Sequence, residues 1–130
     1  MQKPGILLAL LITLVVIGAV QAQDSKRIQF ARGKNSAVVK GSTGSTGATY
    51  VVKARSGQKL ILNLTPTSKV GIKVETEGAD GETVLLREER GGTFEVGLEE
   101  DGDYTIFVGS TENEPVSFTL TVKITNMTDI

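Results

Sequence analysis

VSFTLTVKIT, residues 116–125, alternates without a break. Val116, Phe118, Leu120, Val122 and Ile124 are apolar, and Ser117, Thr119, Thr121, Lys123 and Thr125 are polar. Successive side chains of an extended chain point to opposite faces, so this segment predicts a strand with one face buried and the other wet. The same period of two recurs upstream. Tyr50, Val52 and Ala54 alternate with Val51, Lys53 and Arg55; Leu60, Leu62 and Leu64 with Lys59, Ile61 and Asn63; Tyr104, Ile106 and Val108 with Thr105 and Phe107. Shorter candidates are Arg27–Phe30, Ser36–Lys40, Val70–Glu75, Thr83–Glu88 and Thr93–Leu98. After residue 22 no apolar pattern holds helical spacing over three turns.

Turn signals separate these runs: Gly33-Lys34-Asn35, Ser56-Gly57, Gly78-Ala79-Asp80-Gly81, Gly91-Gly92 and Asp101-Gly102. Glycine, Asn and Asp supply the backbone conformations that tight turns require. Short strands punctuated in this way predict an all-β fold, an antiparallel β-sandwich of about eight strands. Two sheets that close over Val, Leu, Ile and Phe are the economical way to bury them. Gly41-Ser42-Thr43-Gly44-Ser45-Thr46-Gly47 has the composition of a flexible connection and reads as a mobile loop between two strands.

The first 22 residues have another character. Lys3 precedes an apolar run from Ile6 to Val20, and Val20-Gln21-Ala22 ends it with small residues. This pattern predicts a secretory signal peptide over 1–22 and a single sandwich domain over 23–130, with no membrane association after cleavage. An uncleaved anchor is the competing reading, although the run is short for a span of about 20 residues. The sequence contains no cysteine. An exported domain without disulfides relies on packing alone, which fits a periplasmic or secreted bacterial protein.

The absence of His and Cys removes the usual general base, zinc ligands and thiolate nucleophile. No serine lies in a G-x-S-x-G elbow. There is no Trp, and the six Phe and Tyr residues fall mostly in strands, so platforms for stacking bases are lacking and nucleic acid is not expected as a partner. These readings assign no catalytic residue, no metal ligand and no cofactor.

Carboxylates are the remaining chemistry. Glu99, Glu100, Asp101 and Asp103 crowd around Gly102, and Asp80 and Glu82 flank another glycine turn. Paired catalytic acids need one carboxyl group tuned by burial, and these lie on turns. Calcium needs six or more oxygens, and the EF-hand pattern is not met. A contact surface for a charged partner and a solvated turn remain open. Gly102-Asp103-Tyr104 also looks like a tyrosine corner, in which the phenol hydroxyl bonds back to nearby backbone and pins the crossover between sheets. Charge is segregated as well. Residues 23–73 hold ten Lys or Arg and one acid, whereas 74–130 hold three Lys or Arg and fourteen acids.

Ile28-x-Phe30-x-x-Gly33-x-x-Ser36-Ala37, then Tyr50-x-x-x-Ala54-x-x-Gly57-Gln58-Lys59, then Gly102-x-Tyr104 with Val108 and a closing alternating strand, resembles the periplasmic inhibitors of goose-type lysozyme. More loosely, the pattern is similar to the pre-peptidase C-terminal β-sandwich domains of exported bacterial enzymes. The resemblance covers nearly all of 23–130 and implies a non-catalytic protein-binding module whose end loops enter a muramidase cleft. Lysozymes are commonly basic. Glu99, Glu100, Asp101, Asp80 and Glu82 are the residues expected to meet such a partner, with Gly102 and Tyr104 as the structural corner. Residues 76–92 depart from the family pattern, and no contact residue carries over there. The alternative is an accessory sandwich that binds envelope glycan or calcium, or a structural partner of another exported protein.

Overall fold

The computed structural model describes residues 25–44, 46–78 and 81–127. The expected signal segment and Asp80 lie outside the described residues. The described residues form nine strands: β1 (Lys26–Arg27), β2 (Ser36–Ser42), β3 (Ala48–Ala54), β4 (Gln58–Thr65), β5 (Val70–Gly78), β6 (Gly81–Glu88), β7 (Gly92–Gly97), β8 (Gly102–Ser110) and β9 (Ser117–Asn126). They make a five-stranded sheet in the order β1-β3-β8-β5-β6 and a four-stranded sheet in the order β2-β9-β4-β7. This is the all-β sandwich that the alternating sequence predicts.

The alternation maps directly onto the interior. Phe118, Leu120, Val122 and Ile124 of β9 are buried, as are Leu60, Leu62 and Leu64 of β4. From the other sheet, Tyr50, Val52 and Ala54 of β3, Ile72 and Val74 of β5, and Tyr104, Ile106 and Val108 of β8 close over them. Register keeps them on one face. Val52 lies opposite Tyr104, and Val74 and Tyr50 both lie opposite Ile106. A one-residue slip would turn every one of these side chains to water, so the apolar pattern itself specifies the pairing.

The N-terminal strand differs from expectation. Strand pairing covers only Lys26 and Arg27, and it is parallel, against Tyr50 and Val51. Ile28 still donates its N–H to the Val51 carbonyl at 2.8 Å and is buried, but the chain then leaves the edge. It turns at 31–34, where the Lys34 N–H donates to the Ala31 carbonyl at 2.8 Å, and enters the opposite sheet as β2. Phe30 follows this departure and packs half-buried against the core. The glycine-serine-threonine stretch also differs from its reading as a mobile connection. Gly41 and Ser42 belong to β2. Thr43 is buried; its N–H donates to the Val116 carbonyl at 3.0 Å, and its hydroxyl accepts from the Val116 N–H at 3.0 Å. The base of this loop is therefore fastened to the start of β9.

Two ends follow from the register. Ala54 lies opposite Gly102, and Thr76 lies opposite Tyr104. The β3–β4 turn, the β5–β6 hairpin and the stretch before β8 therefore share one end. The loops after β2, β4 and β8 share the other.

Candidate functional site

The first of these ends carries the acidic stretch, and its loops are tied to one another. Leu98 is buried, and its N–H donates to the Gln58 carbonyl at 2.9 Å while its own carbonyl accepts from the Gly57 N–H at 2.9 Å. The Met127 N–H donates to the Gly57 carbonyl at 2.9 Å. Three loops thus meet at Ser56–Gln58. From this seat Glu99 and Glu100 project into solvent.

The remaining acids are already partnered. Asp101 accepts from the Ser56 N–H at 2.8 Å and so caps the neighbouring turn. Asp103 accepts two hydrogen bonds from Arg27, at 3.0 and 2.9 Å, in a forked pair. The Arg27 guanidinium holds the Asp103 carboxyl below the usual carboxylate range, first through these hydrogen bonds and then through its charge, with Lys53 adding to the field. Planar forks of this kind fix orientation as well as charge. Gly102 between the two acids has φ of 142°, a conformation that side-chain-bearing residues rarely adopt, so glycine suits the point where the chain swings into β8.

Tyr104 stands behind the acids. Its ring is buried, and its hydroxyl donates to the Glu100 carbonyl at 2.6 Å while accepting from the Glu100 N–H at 3.3 Å. Burial pushes the phenol pKa up. The bond to the Glu100 backbone works against that rise, and the carboxylates of Glu100, Asp101 and Glu99 reinforce it. The hydroxyl therefore stays a donor at neutral pH, and the 98–103 turn is held in one shape.

Glu82 lies at the same end, on β6, exposed and directly opposite Glu77 of β5. Like charges facing across a hairpin repel. The structure brings Glu82 and the 99–101 acids to one end of the sandwich, but Asp101 and Asp103 are engaged in holding the fold, leaving Glu99, Glu100, Glu77 and Glu82 unpaired among the described residues. No group of three or more acidic side chains among the described residues is arranged to hold a metal ion.

Three-dimensional placement also changes the meaning of the charge segregation. Residues 25–55 contain seven Lys or Arg and no acid, and they build β1, β2 and β3. β1 and β2 are edges of their respective sheets and share one groove. Glu88, Glu89 and Glu95 belong to the opposite side, around β6 and β7. Basic and acidic charge thus separate across the width of the sandwich more than along its length. Among the described residues the ion pairs are Arg27–Asp103, which joins β1 to β8, Lys59–Glu95 (3.2 Å) between β4 and β7, and Lys73–Glu75 (3.0 Å) within β5.

Sequence reading missed a second feature, on the basic side: the groove between the β2 and β3 edges, with Tyr50 at its floor.

No protein-family model and no curated protein matches the chain. Solved structures do. PliG of Aeromonas hydrophila, a periplasmic lysozyme inhibitor of g-type lysozyme, is similar with a TM-score of 0.68 and 28% identity, over 77% of this chain and 95% of that one. PliG of Salmonella Typhimurium, described in the same terms, has a TM-score of 0.60 and 23% identity, over 77% and 96%. The pre-peptidase C-terminal domain of Bacillus anthracis collagenase has a TM-score of 0.50 and 13% identity, over 78% and 95%. The fold is shared with all three.

Proposed function

We propose that this protein is an exported, non-catalytic inhibitor of lysozyme, with a goose-type enzyme as its partner. The observation that carries the reading is the likeness to the Aeromonas hydrophila inhibitor, which extends over nearly the whole of that chain. On this reading residues 1–22 are removed on export, and 23–130 act in the periplasm or outside the cell as one sandwich domain. The end that bears Glu99, Glu100, Asp101 and Glu82 faces the basic enzyme, and Asp80 is taken from the sequence as a further contact. Its turn is preorganised by Tyr104, Gly102 and the Ser56 cap, so little ordering entropy is lost on docking. Complementary charge steers the encounter and disfavours neutral partners. The protein blocks the cleft and performs no reaction of its own.

The test is titration of the purified protein into goose-, chicken- and invertebrate-type lysozymes acting on peptidoglycan. Loss of lysis by the goose-type enzyme, with a complex that weakens as salt rises, is the expected result. Undiminished lysis with all three enzymes removes the reading.

A further inference from the structure

Sheet edges invite pairing with other chains unless they are short, irregular or charged. β1 is two residues long and carries Lys26 and Arg27. β6 changes register against β5 at Val74 and Glu75 and holds Glu82, Arg87 and Glu88. β7 is six residues long, with a glycine at each end and Glu95 between. β2 differs from all three. Its seven residues, Ser36 to Ser42, keep an unbroken register against β9 and contain a single charge, Lys40.

Hydrogen bonds at the two ends of β2 fix which of its backbone groups point outward. The Ile124 N–H donates to the Asn35 carbonyl, and the Thr43 N–H to the Val116 carbonyl, each at 3.0 Å. Backbone groups of an antiparallel strand face its neighbour at every second residue. The odd-numbered residues therefore bond to β9. Ser36, Val38 and Lys40 present their N–H and C=O groups to the open edge, where no strand or loop among the described residues meets them. Their side chains lie on the outer face, because Ala37 and Val39 pack against the core. Val38, at the centre, is 62% exposed, the most exposed large apolar side chain among the described residues. Lys40 flanks it on β2, and Lys123 lies opposite Ser36 on β9, exposed on the same face. Neither strand contains an acid, nor do residues 31–35; Glu112 and Glu114 belong to the loop that enters β9, past the Ser42 end.

We propose that the β2 edge takes an extended acidic segment of another protein as an added antiparallel strand, with the pattern acid-x-apolar-x-acid. The backbone groups of Ser36, Val38 and Lys40 bond to that strand, which is the mode of recognition open sheet edges support. Its apolar residue covers Val38, and its two acids fall opposite Lys40 and Ser36. The second acid then stands two strands from Lys123, about 10 Å away, with only the small Ser36 between. A second copy of this chain fits the edge poorly. Residues 25–55 hold seven Lys or Arg and no acid, so two such edges repel each other. A lysine on an edge thus turns away like copies while favouring an acidic strand. This surface is separate from the acidic turn, and its test involves no lysozyme.

The experiment is an amide-resolved NMR titration of the purified protein at low ionic strength. The probe is the heptapeptide Thr-Glu-Ser-Val-Ser-Glu-Thr, acetylated and amidated at its ends. One control replaces both Glu by Gln. A second keeps the charges but is N-methylated at Val and at both Glu, which removes the N–H groups that would face β2. The acidic peptide is expected to shift the 36–42 amides and to bind about fivefold more tightly than the Gln peptide. The N-methylated peptide should bind at least about tenfold more weakly, since the backbone bonds carry the pairing. Replacing Lys40 and Lys123 with Gln should remove the preference for the acidic peptide while leaving the melting temperature and the affinity for the Gln peptide unchanged. The proposal is overturned by no shifts or by shifts centred away from β2. It is equally overturned if either control binds as tightly as the acidic peptide, or if the double variant keeps the preference. Concentration-dependent broadening of the 36–42 amides without any peptide would assign the edge to a second copy and overturn it as well.

Discussion

Tyr104 and Arg27 act on the same turn by different means, and two substitutions separate them. Tyr104→Phe keeps the ring in the core and removes only the hydroxyl that serves the Glu100 carbonyl and N–H. Leaving such groups without a partner costs about 1–2 kcal/mol, and chemical denaturation should show a loss of that size with an unchanged denaturant slope. Arg27→Gln breaks the fork to Asp103. The pair is half exposed, so its contribution is small and is best read through pH. Because Arg27 depresses the Asp103 pKa in the folded state, the contribution is present above the ordinary carboxylate pKa of about 4 and fades as pH falls through the lower folded value. Melting curves of the two proteins should therefore lie apart at neutral pH and converge in acid. A gap that persists at the acid limit would mean that Arg27 acts through packing instead. These partnerships also mark what the sequence hides. The turn and its tyrosine were legible in Asp101-Gly102-Asp103-Tyr104, but the structural uses of the two acids were not, because Ser56 and Arg27 lie 45 and 76 residues away from them.

Strands were the most readable elements, because a sheet with one buried face forces a period of two on its sequence. β4, β8 and β9 carry that period strictly, and they are interior strands whose inward residues are fully or almost fully enclosed. Leu62→Ala in β4 should therefore cost about 2–5 kcal/mol, a loss that denaturation would detect readily. Edges were less readable. Two paired residues leave no period to detect, which is why β1 was expected to be longer and its parallel partner was invisible. The β5–β6 hairpin is a third case. Alternation there predicts strands but says nothing about Glu77 facing Glu82. Glu82→Lys replaces repulsion with attraction at an exposed position and should stabilise the protein by about 0.2–1 kcal/mol. If that end engages lysozyme, the same change should weaken inhibition, so stability and inhibition would move in opposite directions. A variant that is more stable and inhibits equally well would exclude Glu82 from the contact.

Across the whole molecule, the order of charge along the chain becomes a transverse field because the topology assigns consecutive strands to opposite sides. β1, β2 and β3 collect cations on one side, and β6 and β7 collect acids on the other, with the acidic turn on one end face. Sequence reading recovered the segregation along the chain but not its direction in space, since which strands become edges is decided by pairing between distant residues. A partner with positive charge around a cleft would be guided toward the acidic side and the adjoining turn and turned away from the β2 edge. Changing Glu99 and Glu100 to Gln and Asp101 to Asn tests this without disturbing the frame, because an Asn side-chain oxygen can still accept from the Ser56 N–H. Association with a lysozyme should slow by several-fold at low ionic strength while dissociation changes little, as expected when exposed charges act on encounter. At about 1 M salt the screening length falls to roughly 3 Å, and the two proteins should associate at the same rate. Equal rates at low salt would place the contact away from this turn, whereas a difference that survives high salt would make these side chains direct contacts instead of a guiding field.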